Sequence, residues 1–438
     1  MKNPFYPYPI IKFILIFNLF ELYHGIIKYK ITSKDYLLRG GKMKENLNFP
    51  YFMPTKIWFG PGSLEKLREE KLPGKKALIV ISAGGSMKKL GYLDRLIDIL
   101  KSRRVEYVVF DKILPNPIKK HVMEGAQIAR EEECDFVIGL GGGSSIDSAK
   151  SIALMVKNDG DYWDYIVGGT GKGKKPEKGA LPIVAITTTA GTGTEADPWT
   201  VITNEETNEK IGYGNEYTFP TLSIVDPELM LSVPPHLTAY QGFDAFFHAV
   251  EGYIANIANP VSDLYALKSV ELIAKYLPIC VKNGNDLIAR TYVALANTLS
   301  GFVESTSSCT SEHSMEHALS AFHPELPHGA GLIMLSEAYH TFFASKIPDR
   351  YIQLAKVMGL DVDSLPEEEK PYAFIKALKK LQEECGVANL RMSDYGIKED
   401  EIEKLAQNAI ETMGGLFEMD RYKLSFDEVV EILRKAYK

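Results

Sequence analysis

A change of hydrophobic rhythm at Asp226-Pro227 constrains this 438-residue chain more than any other feature. Before it, from Thr55 to about Val225, short apolar runs alternate with amphipathic stretches. Lys56 to Phe59, Ala77 to Ile81, Val105 to Phe110, Phe136 to Leu140, Ile183 to Ile186 and Leu222 to Val225 read as strands. Leu93 to Leu100 and Val122 to Arg130 read as helices between them. Such alternation needs crossover connections, so it predicts a doubly wound, mainly parallel sheet with helices on both faces. After it, apolar residues recur every three or four positions. Val261, Leu264, Leu267, Val270, Ile273 and Leu277 are assigned to one stripe. Leu287 to Val303, Phe374 to Leu381 and Val429 to Leu433 carry similar patterns. The expected fold class is α/β plus all-α: an α/β domain over residues 43–226, then a helical bundle domain over residues 227–438.

The first 42 residues stand outside this scheme. The run from Pro9 to Tyr23 is aromatic and aliphatic, but its uncharged core, Phe13 to Phe20, is too short to cross a bilayer, which needs about 20 apolar residues. No small-residue cleavage site follows it. Arg39-Gly40-Gly41-Lys42 can be encoded by a purine-rich, ribosome-binding stretch ahead of Met43. Residues 1–42 are therefore read as a non-domain extension from a start-site error; an exported or membrane-attached N-terminus and a native tail are the alternatives. An intact mass that includes Met1 would refute the start-site reading.

Cys134, Cys280, Cys309 and Cys385 lie far apart without a CxxC pair. They are read as scattered buried thiols of a cytoplasmic, reducing compartment. A net charge of −7 without a basic stripe argues against nucleic acid as a partner.

Gly141-Gly142-Gly143-Ser144-Ser145-Ile146-Asp147-Ser148-Ala149-Lys150 follows the strand Phe136 to Leu140 directly and enters a predicted helix, Ser144 to Val156. Glycines permit close backbone approach, and a helix N-terminus presents unpaired N–H groups, so a diphosphate is a natural ligand. The spacing is not GxGxxG, and an ordinary Rossmann dehydrogenase is not implied. The alternative is a tight turn with Ser144 as the helix cap. A second loop, Thr187-Thr188-Thr189-Ala190-Gly191-Thr192-Gly193-Thr194-Glu195, concentrates hydroxyls and amides that suit ribose and phosphate; an ordinary polar turn is its alternative. Asn116, between two prolines, and Lys210 are further candidates for touching a cofactor.

Six of the nine histidines fall between His248 and His340. Asp244 and His248 are spaced i, i+4, so on a helix they share one face, and His313 and His317 repeat that spacing. Either pair alone would ordinarily be a hydrogen-bonded surface pair. Two pairs plus His328 in one bundle point to a divalent metal held by inward side chains of facing helices. One carboxylate with imidazoles suits Fe²⁺, Zn²⁺, Co²⁺ or Ni²⁺ better than Ca²⁺ or Mg²⁺. His24, His121, His236, His323 and His340 show no such pattern.

From about residue 50 onward the chain resembles the iron-containing (group III) alcohol dehydrogenases. The words that carry the resemblance are GGGSSIDSAK at 141–150, TTTAGTGTE at 187–195, IVDPELMLSVPP at 224–235, GFDAFFHAVEGY at 242–253 and EHSMEHALSAFHPELPHGAGL at 312–332. The resemblance implies an α/β dinucleotide-binding domain, a helical metal domain and an active site in the cleft between them. It implies that Asp244, His248, His313 and His328 ligate the metal, Fe²⁺ or else Zn²⁺, and that His317 assists proton transfer near the nicotinamide. Gly142, Gly143 and Ser144, with Asp147 in the same word, would hold the diphosphate. Thr187, Thr188 and Thr192 would line the nicotinamide side, and Lys210 would contact a ribose. His323 stands where the family commonly has tyrosine, Pro324 to Pro327 is one residue longer, and Ser305 to Glu312 is more polar than is typical. The pattern MEHALSAF followed by HGAGL is most similar to the butanol dehydrogenase-like branch.

These parts fit a Lewis-acid-assisted hydride transfer between a nicotinamide cofactor and a small primary alcohol or aldehyde. Ser82 to Lys89, after the second strand, holds no carboxylate to bind a ribose 2′-hydroxyl, but does hold Gly85, Ser86 and two lysines. NADP(H) is therefore expected over NAD(H). A dimer is expected. A metal-dependent lyase or cyclase of the dehydroquinate synthase type is the alternative, though its metal site resembles one glutamate and two histidines. A metal hydrolase would leave the Gly-rich loop without a role.

Overall fold

Eight strands form within residues 46–437, which the computed structural model describes; the reading of residues 1–42 lies outside the described residues. They are β1 (Lys56–Phe59), β2 (Lys76–Ser82), β3 (Glu106–Ile113), β4 (Phe136–Gly141), β5 (Ile183–Thr187), β6 (Thr200–Asn204), β7 (Glu209–Tyr213) and β8 (Leu222–Val225). Six of them make one parallel sheet in the order β1-β8-β5-β4-β2-β3. Between the strands run α1 (Ser86–Lys89), α2 (Tyr92–Ser102), α3 (Lys119–Glu131) and α4 (Gly143–Lys157).

Side chains of a strand alternate between faces, and β2 uses both. Leu78 and Val80 pack with Val122 and Ala126 of α3 and Ile152 of α4. Ala77, Ile79 and Ile81 pack with Leu93, Leu96 and Ile99 of α2. Burying each large apolar side chain contributes roughly 1.5–3 kcal/mol, which is why these central strands read as continuous apolar runs. From β2 the chain steps outward to β3, then returns to the other side of β2 as β4. That reversal opens a crevice at the carboxyl ends of β2 and β4, where a parallel sheet places its ligands.

The β6–β7 hairpin lies outside the sheet and was not anticipated from sequence. Its burial alternates along β6, but β7 begins with the charged pair Glu209-Lys210, both buried, which masks the strand pattern. Helix α4 starts at Gly143 with Gly142 as its unassisted cap, so Ser144 is a helical residue and not the cap.

Beyond β8 the described chain is helical: α5 (Pro235–Ile254), α6 (Pro260–Lys282), α7 (Leu287–Thr306), α8 (Ser311–Phe322) and α9 (His328–Ala344). Then come α10 (Pro348–Val357), α11 (Ala373–Glu384), α12 (Ile402–Phe417) and α13 (Phe426–Ala436). The stripe read for α6 holds at Val270, Ile273 and Leu277, which are buried, and fails at Leu264. Leu264 is 71% exposed, whereas Ser262, Ala266, Ser269, Ile273, Leu277 and Cys280 face inward. A strict three-residue spacing drifts about 60° per step on a 3.6-residue helix, and small residues fill the true contact line against α7. No described helix is long and apolar enough to cross a membrane.

Candidate metal and cofactor site

Four ligand-type side chains converge where α5, α8 and α9 meet. Asp244 and His248 occupy successive turns of one face of α5, His313 lies in the first turn of α8, and His328 is the first residue of α9. The Nε2 atoms of His248, His313 and His328 lie 3.6, 3.7 and 3.4 Å from Asp244 Oδ1. Ligand atoms about 2.0–2.2 Å from a tetrahedral ion stand about 3.3–3.6 Å apart, so this cage fits one divalent ion. Asp244 Oδ1 and His313 Nε2 are buried without hydrogen-bond partners, as atoms reserved for an ion would be.

Behind the cage, carboxylates back the outer nitrogens. His313 Nδ1 bonds Glu251 Oε1, and His328 Nδ1 bonds Glu316 Oε2. His248 Nδ1 lies 3.3 Å from Gly191 O and 3.4 Å from Glu304 Oε1. Such partners set which ring nitrogen keeps the proton and turn the other towards the ion. The electrostatics agree. Burial pushes Asp244 upward, but His248, His328 and His313 overcome it and hold the carboxyl at about 2. Burial lowers His248 to about 4. His317 and His328 are held well below the usual imidazole range by burial and by Lys210. Burial opposes a proton on His313, yet Cys309, Glu251 and Asp244 together raise it well above the usual range. Two of the three cage imidazoles, His248 and His328, are thus neutral near pH 7, the form a cation needs.

The cage opens into a cavity of about 710 Å³ that also borders Gly143, Ser144, Asp147 and Thr192. Here the helix N-terminus of α4 and the Thr-rich loop approach closely. A Cβ on Gly143 would come within 2.4 Å of Thr192 Cγ2. The Thr-rich loop in turn lies on α7. Gly193 has φ +64°, and a Cβ there would meet Gly301 N at 2.5 Å. Asn297 Oδ1 accepts from Gly193 N–H at 2.9 Å, while Asn297 Nδ2 and Thr298 Oγ1 donate to Glu195 Oε1 at 2.9 and 2.7 Å.

Of the residues singled out from sequence, Asn116, Gly143, Ser144, Asp147, Thr192, Lys210, Asp244, His248, His313, His317 and His328 border the one cavity. Gly142 caps α4 beside it, and Thr187 and Thr188 are buried at the end of β5. Gly85 and Ser86 follow β2 on the far side of the crevice and do not border the cavity. Asp147 already uses both carboxylate oxygens, accepting from Thr194 Oγ1 at 2.7 Å and Val201 N–H at 2.9 Å. Asn116 Nδ2 donates to Pro324 O in the loop before His328. Lys210 is buried, and Nζ donates to Ser320 Oγ at 2.8 Å and faces Glu316 at 3.5 Å. His317 packs Nδ1 against Met413 Sδ at 2.8 Å.

Sequence reasoning missed Glu251 and Glu316, although Asp244, His248 and Glu251 (i, i+4, i+7) form one helical face. It missed Met413, whose φ −127°, ψ 39° interrupts α12 beside Gly414-Gly415 at the cavity wall. It also misread Cys309. Cys134, Cys280 and Cys385 are buried, but Cys309 is only half-buried and lines the cavity beside the cage.

Residues 54–227 match the family described as iron-containing alcohol dehydrogenase, and residues 238–437 match its C-terminal family. The 1,3-propanediol dehydrogenase of Citrobacter freundii is 34% identical over 391 residues, covering 89% of this chain and 99% of that protein. A probable NADH-dependent butanol dehydrogenase 2 of Bacillus subtilis is also 34% identical, over 402 residues, with 89% and 99% coverage. Identity therefore does not single out the butanol branch. The crystal structure of the archaeal halo-thermophilic Red Sea brine pool alcohol dehydrogenase ADH/D1 superposes with a TM-score of 0.84 at 36% identity, covering 89% of this chain and 99% of that one. These matches do not favour the lyase or cyclase alternative.

Proposed function

The chain belongs to the iron-containing alcohol dehydrogenases, and from that premise we propose that it exchanges hydride between a nicotinamide dinucleotide and a small primary alcohol or aldehyde, with Asp244, His248, His313 and His328 holding one divalent ion. The observation that carries this reading is the shared cavity: one set of walls includes both the four-residue cage and the Gly143-Ser144 helix start. The ion, Fe²⁺ foremost and Zn²⁺ second, supplies a Lewis acid, and the nicotinamide supplies the hydride acceptor or donor.

The chain's own residues do the rest. Gly142, Gly143 and Ser144 present backbone N–H groups to a diphosphate. Thr187, Thr188 and Thr192 bound the nicotinamide end, and Lys210 reaches a ribose from β7. His317, kept neutral by burial and by Lys210, can take the substrate hydroxyl proton and return it in the reverse direction. Enclosure by Met413 and its neighbours limits water at the reacting carbon.

For the adenosine end we keep NADP(H) over NAD(H). Gly85 and Ser86 follow β2 without a carboxylate, and Asp111 on the adjacent β3 is held in an ion pair by Lys88. A cytoplasmic homodimer completes the proposal, supported for the compartment by four unpaired thiols.

The test is an anaerobic panel of short alcohols and aldehydes, read by nicotinamide absorbance with both cofactors, with and without added Fe²⁺ or Zn²⁺. Metal-dependent turnover supports the reading, and higher kcat/KM with NADPH supports the cofactor choice. Silence across the panel with metal bound sinks the dehydrogenase; a clear NADH preference sinks the cofactor assignment.

A further inference from the structure

Behind His313, a chain of hydrogen bonds leads away from the cavity; of its members only His313 borders that space. His313 Nδ1 bonds Glu251 Oε1, and Glu251 Oε2 accepts from Thr310 N–H at 2.8 Å and from Thr310 Oγ1 at 2.9 Å. Thr310 Oγ1 in turn stands 2.9 Å from Tyr339 Oη, and Tyr339 Oη stands 3.0 Å from Asp420 Oδ1. Ser311 adds its N–H to Asp420 Oδ1 at 3.3 Å and its hydroxyl to Tyr339 Oη at 3.2 Å. Glu251, Thr310, Ser311 and Tyr339 are fully buried, whereas Asp420 lies in the turn after α12 and is 8% exposed. That turn is fixed to the end of α5: Met419 O accepts from Asn256 N–H at 2.8 Å, and Arg421 Nε donates to Ile254 O at 3.0 Å.

A tyrosine hydroxyl has one proton, and Tyr339 faces two acceptors. Burial, with Asp420 and Glu251, holds Tyr339 well above the usual phenol range, so that proton stays. Burial pushes Asp420 up to about 7 against the bonds from Ser311 and Tyr339, so Asp420 changes charge near neutrality. Among the described residues, the titratable groups facing it are Glu251 from α5, Tyr339 from α9 and Tyr351 from α10; α8 faces it with Ser311, and Arg421 is turned to Ile254 O. As a neutral acid, Asp420 donates to Tyr339, Tyr339 donates to Thr310, and the Thr310 hydroxyl is committed to Glu251. As a carboxylate, Asp420 takes the tyrosine proton. The 2.9 Å contact between Thr310 and Tyr339 then lacks a proton unless Thr310 turns its own away from Glu251. Glu251 is left with one donor fewer, and a carboxylate shared less widely makes His313 a more basic ligand.

We propose that Tyr339 is a positioning residue that passes the charge of Asp420 to His313, so that the ion in the cage is held more tightly when Asp420 is ionised. This rests on the reading of Asp244, His248, His313 and His328 as the metal ligands and adds a control on their affinity. Only the Asp420 O–H bond breaks, and its proton goes to solvent. By linkage, ion binding lowers the proton affinity of Asp420 by the same factor.

The experiment measures Zn²⁺ affinity by chelator competition from about pH 6 to about pH 8 in the wild type, Tyr339→Phe and Asp420→Asn, with circular dichroism to confirm the fold. Imidazole protonation makes affinity rise with pH in all three, so the readout is each variant's affinity relative to the wild type at each pH. Asparagine donates to Tyr339 through its NH₂ as the neutral acid does, so Asp420→Asn is expected to match the wild type at the acidic end and to fall about fivefold behind at the alkaline end. Tyr339→Phe keeps the Asp420 charge but leaves the Thr310 hydroxyl no acceptor except Glu251, and the same course is expected of it. The Tyr339→Phe comparison decides the matter alone if Asp420→Asn does not fold. A Tyr339→Phe ratio that stays constant with pH overturns this inference, because any influence of Asp420 would then act through space. A constant Asp420→Asn ratio overturns it too, because its charge would then have no influence on the ion. Absence of Zn²⁺ binding by the wild type overturns the cage reading and this inference with it.

Discussion

Consider Glu251→Gln, a change of one atom. Glu251 is fully buried and accepts on both oxygens: Oε1 from His313 Nδ1–H, and Oε2 from Thr310 N–H at 2.8 Å and Thr310 Oγ1 at 2.9 Å. A glutamine offers one acceptor and one NH₂. If the amide turns its nitrogen to Thr310, two donors face a donor. If it turns the nitrogen to His313, Nδ1 must accept, and the ring proton moves to Nε2, the atom that should bind the ion. Either arrangement loses support for the cage, and loss of such a partner typically weakens metal binding by about 10- to 100-fold, or about 1–3 kcal/mol. The measurement is a chelator-competition titration with Zn²⁺ or anaerobic Fe²⁺, with circular dichroism to show that the fold persists. Activity should recover in part at saturating metal, because the ligands themselves remain. Wild-type metal affinity in Glu251→Gln would refute the argument that this carboxylate sets the tautomer of His313.

Three further outcomes follow from particular contacts. Gly143→Ala places a Cβ 2.4 Å from Thr192 Cγ2, so the Thr-rich loop must shift: KM for the nicotinamide cofactor should rise roughly tenfold, about 1.4 kcal/mol, and stability should fall by about 1–3 kcal/mol in urea unfolding; an unchanged KM contradicts the close-approach reading. Burial pushes Glu195 up to about 7, so the folded state holds a proton that the unfolded chain, near its ordinary 4.5, has released. The stability contributed by this group is complete below about pH 4.5 and is lost as pH rises to about 7, a fall of about 3 kcal/mol that Glu195→Gln should remove from the pH profile of urea unfolding. Chelation of the metal should lower the melting temperature, since an ion at 100 times its Kd adds about 2.7 kcal/mol to the folded state; a melt indifferent to chelator would argue against an ion in the cage.

Much of this could be read from the chain because the relevant signals are local. Strands β4, β5 and β8 are buried on both faces and show as unbroken apolar runs. Asp244 and His248 share a helix face by spacing alone, and two more histidines completed the cage. What escaped was non-local. Lys210 is buried with Ser320 and Glu316, more than a hundred residues later, as partners of its ammonium group. That pairing lets a charged residue sit in β7, so no strand pattern announces it. Met413 is cavity wall because α12 breaks there, and its neighbours Gly414-Gly415 read equally well as tolerated helix glycines. Leu264 misled because a leucine at the right spacing counts as core until the neighbouring helix is known to prefer alanine and serine there.

The crossing of Gly193 over Gly301 has a consequence for how such an enzyme can diversify. A Cβ on Gly301 would come within 2.3 Å of Gly193 O, so the Thr-rich loop and α7 touch main chain to main chain, with no side chain interposed. The Thr-rich loop is thereby held to α7 by peptide geometry, which substitution of side chains elsewhere leaves alone. Residues of the cavity wall such as Ser308 or Met413 can then be exchanged while that backbone contact stays as it is.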